Sequence, residues 1–122
     1  MAGANSPYLR IMADFEEYLV ILRDLPEVVA FKERTGLAPA VKILEMSVQD
    51  KNFGVVFTRW GRGGDATDLQ PYGQDVVAFG QRLSQLIAEW FSNYRKTTMV
   101  DMFEGLEARG MDFILRVDIL IF

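Results

Sequence analysis

Arg59 and Arg62 flank Trp60, and three glycines with two aspartates, Asp65 and Asp68, crowd in after them. Guanidinium groups grip phosphate or carboxylate through paired hydrogen bonds, and an indole stacks on a base or sugar. Glycines let backbone amides come close to an anion. The segment Arg59–Asp68 is therefore the candidate site, with Arg59, Trp60, Arg62 and Asp65 as its ligand-binding or partner-binding residues. It has neither the spacing nor the Lys-Ser/Thr of a P-loop, nor the spacing of a dinucleotide fingerprint. A structural connector built from the same residues is the competing account.

The other chemistry-bearing residues point less far. Asp65, Asp68 and Asp75 could ligate a hard cation, but the alternating register and closing glutamate of an EF-hand loop are missing, and capping of the following helix explains Asp68 or Asp75 better. Tyr72, Tyr94 and Lys96 are the acid–base groups near that helix, with no spacing that suggests activation. Glu16 and Glu17 with Arg10, Asp14 and Arg23 read as solvated charges on a helix.

Absences bound the chemistry further. The chain has no cysteine, which removes disulfide frameworks, thiolate metal sites and thiol nucleophiles, and no histidine, which removes imidazole bases and ligands. No cofactor and no catalytic motif are expected; a histidine-free enzyme using carboxylates, Tyr or Lys is the third-ranked reading. The first residues lack the pattern of a secretory signal, and no apolar run reaches the roughly 20 residues that span a bilayer, so a cytoplasmic protein is expected. A net charge of −4 disfavours a surface wholly given to nucleic acid.

Half of the 122 residues are hydrophobic and nine are Phe, enough for one packed domain over residues 1–122 with only residues 1–5 expected to be disordered. Ser6-Pro7 starts a helix whose stripe is Tyr8, Ile11, Met12, Phe15, Tyr18, Leu19 and Leu22; Leu9, Val20 and Ile21 widen it and suggest cover on two sides. A short helix follows from Asp24-Leu25-Pro26 to about Arg34, ended by Gly36. Ala40 to Val48 reads as a strand whose alternation breaks near Ile43, implying two covered faces or a bulge. After a polar turn, Phe53 to Trp60 reads as a second strand forming a β-hairpin with the first.

The glycines of Gly61–Gly73 exclude regular structure over most of that stretch. Asp75 opens the longest helix, in which Trp90 is expected to be largely buried, and Arg95-Lys96 complements the negative end of its dipole. Thr98 with Asp101 starts a short helix that Gly110 ends, and Phe113 to Phe122 alternates as a strand.

The order α-α-β-β-α-α-β predicts an α+β fold with a small, mainly antiparallel sheet, hairpin plus C-terminal strand, and two long helices packed on it. Ile119, Leu120, Ile121 and Phe122 end the chain on four apolar residues, which reads as an oligomer interface. The leading functional expectation is a non-catalytic protein-interaction or assembly module acting as a homodimer or larger homo-oligomer, an adaptor with another protein as a further partner. The alternative is a module that binds a nucleotide, a phosphorylated ligand or nucleic acid with the Arg59–Asp68 loop.

Overall fold

The computed structural model describes residues 6–50, 55–62 and 74–121, with the stretch 55–62 as backbone alone. The elements are α1 (Pro7–Arg23), α2 (Pro26–Thr35), β1 (Pro39–Asp50), β2 (Val55–Arg62), α3 (Gln74–Thr97), α4 (Val100–Ala108) and β3 (Met111–Ile121). Pro7 and Pro26 each open a helix at a position whose missing N–H costs nothing. Gly36 closes α2 at φ 72°, a left-handed conformation that glycine adopts without strain. The Thr35 hydroxyl reinforces that end, donating to the Phe31 carbonyl at 2.7 Å and accepting from the Leu37 amide at 3.1 Å. Thr98 does not cap α4: Met99 precedes that helix at φ 50°, without a side-chain cap.

The helices share one core. From α1 come Ile11, Phe15, Leu19 and Leu22, from α2 Val28 and Phe31, and from α3 the ladder Val76, Phe79, Leu83, Ile87, Phe91 and Tyr94. They close over Phe113, Leu115, Val117, Ile119 and Ile121, the odd-numbered side of β3. Each such side chain contributes about 1.5–3 kcal/mol on burial. Trp90 is only partly buried, because Ile87, Phe91 and Tyr94 occupy the centre of the stripe and leave it at the margin facing α1. There it stacks on Tyr18 and Tyr94, at ring separations of 5.3 and 4.9 Å, and meets Phe15 edge-on.

The strand order corrects the expected hairpin. β1 and β2 are not neighbours; the sheet runs β1-β3-β2, with β3 antiparallel to β1 and parallel to β2. The sheet is therefore mixed rather than mainly antiparallel. A parallel pair needs a long crossover, which α3 and α4 supply between β2 and β3. The physical reason for the central place lies in β3 itself, where Ile114 is buried as well as the odd-numbered row. A strand with buried residues on both faces is costly at an edge and stable in the middle.

Both outer strands kink at the same level of β3. The β1 register shifts between Ile43 and Glu45, opposite Val117 and Arg116, so Leu44 is the extra residue of a β-bulge. The β2 register shifts between Phe57 and Arg59, opposite Val117 and Asp118. In β1 the bulge re-phases the pleat: Val41 and Ile43 before it, and Met46 and Val48 after it, all pack on the core.

Candidate interaction surface

β1 has a single neighbour among the described residues, and in them one side of this twelve-residue strand is an open edge. Such an edge presents a row of backbone N–H and C=O groups able to pair with another strand. Its outer-face residues Ala40, Lys42 and Glu45 are exposed, Ser47 is half-buried, and the bulged Leu44 is 47% exposed. The Arg116–Glu45 ion pair, at 3.4 Å, ties this face to the central strand. Both partners are well exposed, so the pair contributes little to stability.

Between β1 and α1 runs a groove of about 530 Å³, floored by Phe15, Val41 and Ile43 and walled by Met12, Leu19 and Val20. Glu16 and Arg23 stand on the α1 wall and Lys42 on the β1 wall. The residues that widened the α1 stripe in the sequence are not covered on a second side: Leu9, Val20 and Ile21 are 58%, 55% and 57% exposed. The groove, the β1 edge and the exposed Val20 and Leu44 thus meet along one flank of the chain.

The residues singled out from the sequence fall elsewhere. Arg59, Trp60 and Arg62 lie within β2, not in a loop, with backbone register positions opposite Asp118, Ile119 and Ile121. Asp118 is 3% exposed, and Lys42 of β1 is its register partner on the other side. Asp65, Asp68 and Tyr72, with most of the glycine-rich segment, lie outside the described residues, as do residues 1–5 and Phe122. Ile119 and Ile121 are buried in the chain's own core and Leu120 is partly buried, so the cover that the apolar C-terminal strand demanded is supplied inside the chain. Asp75 sits in the first turn of α3 and forms a forked ion pair with Arg34 of α2, Nη2 to Oδ1 at 2.9 Å and Nε to Oδ2 at 3.1 Å.

Two polar constellations escape the sequence reading, which makes Arg10 and Asp14 solvated charges and Arg95 a complement to the helix dipole. Tyr94 donates its hydroxyl to Asp14 at 2.6 Å, and the Arg10 Nε donates to the same carboxylate at 2.8 Å. The Tyr94 hydrogen bond, with help from Arg10, holds the Asp14 pKa below the ordinary carboxylate value despite partial desolvation. Burial, and then the bond to Asp14, pushes the Tyr94 phenol far above its ordinary range. At the far end of α3, Arg95 forks onto Asp112, with Nη1 to Oδ1 at 2.9 Å and Nη2 to Oδ2 at 3.0 Å, while its guanidinium lies 4.9 Å from the centre of the Phe91 ring. Asp112 also accepts the Phe113 amide at 3.0 Å. A cleft of about 420 Å³ opens beside this pair, lined by Lys96, Glu104 and Glu107 among others. Its charges are of both signs, and Arg95 is already engaged by Asp112, which makes it a structural clamp between α3 and β3.

Among the described residues no group of three or more acidic side chains could hold a metal ion, and no helix is long and apolar enough to cross a membrane. Comparison with protein-family models, with curated proteins and with solved structures gives no match to this chain.

Proposed function

We propose that this chain is a small non-catalytic interaction module that acts as a homo-oligomer and associates through the open edge of β1. The observation that carries this reading is the twelve-residue strand left with one described neighbour, directly beside an apolar groove. Strand addition would satisfy the free backbone groups, and the groove would take apolar side chains delivered by the incoming element. The exposed Leu44 and Val20 then gain cover that the described residues of the single chain do not give them.

Light scattering after size exclusion tests this in the micromolar range. The protein is expected to run as a dimer or larger closed assembly. Leu44→Lys places a charge on the edge and is expected to yield a monomer with an unchanged fold, since exposed substitutions are usually within about 0.5 kcal/mol of neutral. A monomer mass for the unaltered chain at every concentration overturns the reading.

A further inference from the structure

A strand that meets a second copy of itself antiparallel about a two-fold axis sets every side chain opposite one on the same face. The bulge restricts how β1 can do so. Ala40 and Lys42 share the outer face with Glu45 and Ser47, while Val41 and Ile43 share the core side with Met46 and Val48. Odd and even positions exchange faces at Leu44, so a register that matches faces on one side of the bulge mismatches them on the other unless bulge lies against bulge. Two alignments do this: Ile43-Leu44 of one copy beside Leu44-Ile43 of the next, or Leu44-Glu45 beside Glu45-Leu44.

The second sets Lys42 opposite Ser47, and the charges choose the first. It sets Lys42 opposite Glu45 and, by symmetry, Glu45 opposite Lys42, with Ala40 opposite Ser47 and Val41 opposite Met46. Opposite charges directly across a strand pair attract and like charges repel. Among the described residues, exposed Lys42 makes no ion pair and Glu45 has only the long contact to Arg116. The axis passes between Ile43 and Leu44, so each exposed Leu44 lies against Ile43 and, diagonally, Leu44 of the other copy. A bulge and edge charges normally turn strangers away from a strand edge. Here the same features fit a second β1.

We propose that the partner at the β1 edge is a second copy of this chain, bound antiparallel in the register that sets Lys42 against Glu45, with the two-fold axis between Ile43 and Leu44. Resting on the self-association read above, this pairing specifies which residues meet. Because the chain has no cysteine, Ala40→Cys and Ser47→Cys variants report the register cleanly. Directly opposite residues hold Cβ atoms about 4.5–5.5 Å apart, a small adjustment from disulfide geometry. Oxidation of the two variants mixed, with diamide as oxidant, is expected to give the mixed 40-to-47 disulfide, while each variant alone stays uncrosslinked. In parallel, Lys42→Glu is expected to weaken the dimer about tenfold, and Lys42→Glu combined with Glu45→Lys to restore it. A dimeric mass without the mixed disulfide overturns the register and leaves self-association standing. A failure of the double variant to restore the dimer rejects the Lys42–Glu45 contact, and a monomer under all conditions overturns both the register and the self-association.

Discussion

Asp14 is where a single residue ties the two long helices together. It accepts from Tyr94 of α3 at 2.6 Å and from Arg10 of its own helix at 2.8 Å. Arg10 is largely exposed and adds little, whereas the phenol is partly buried and carries the contact. A carboxylate with a lowered folded pKa contributes stability that is complete above about pH 4 and is lost as pH falls through that lowered value. A phenol with a raised pKa contributes stability that is complete below about pH 10 and is lost as pH rises toward its folded value. Tyr94→Phe is therefore expected to cost about 1–2 kcal/mol near neutral pH and to make the loss of stability in acid shallower. Urea unfolding near pH 7 and at about pH 3 checks this. Curves for the two proteins separated by the same free energy at both pH values would show that the phenol does not hold the carboxylate.

Among the elements, α2 shows which contacts matter most. Phe31 stacks on Phe79 of α3 at a centroid distance of 3.7 Å, with both rings buried, while the Arg34–Asp75 and Arg82–Glu27 ion pairs flank them in solvent. Phe31→Ala is expected to cost about 3–5 kcal/mol and Arg34→Ala less than about 1 kcal/mol. Trp90→Ala belongs near the lower end of the first range, about 3 kcal/mol, because part of the indole already faces water. Denaturant unfolding of the three variants gives the order, and an Arg34 effect equal to that of Phe31 would contradict it. These helices were readable in the sequence from the spacing of their apolar residues and from Pro7, Pro26 and Gly36. The bulge also left a trace, in the alternation that breaks at Ile43. Strand pairing left none that is local. A short polar link between β1 and β2 looks like a hairpin, and nothing in it announces that the last strand of the chain will insert between them. The available signal was β3 itself, with a continuous apolar row from Phe113 to Ile121 and further apolar residues, Ile114 and Leu120, on its other face, easily taken for a surface awaiting a partner. The candidate surface inherits that difficulty: Leu9, Val20 and Ile21 stood out as surplus on α1, but the open edge of β1 follows only once β3 has taken the middle. Arg59, Trp60 and Arg62 stood out for their chemistry, and the local pattern placed them at the mouth of a loop, whereas the register with β3 carries the strand on through Arg62.

At the scale of the whole molecule, one flank is closed and the other is open. The core side of β3 is sealed by four helices, and β1 carries exposed charge, the bulged Leu44 and the groove against α1. An edge of this length beside apolar surface either recruits a partner or invites aggregation, and its bulge and charges favour the first. Association through β1 is the central claim, and amide hydrogen exchange measured as the protein is concentrated from well below to well above its association range tests it most directly. Amides of β1 that gain partners across the interface are expected to slow as concentration rises, while those of β3, flanked on both sides in the single chain, keep the same rates. β1 amides whose exchange does not change while the particle mass doubles would place the interface elsewhere on the molecule and contradict the account.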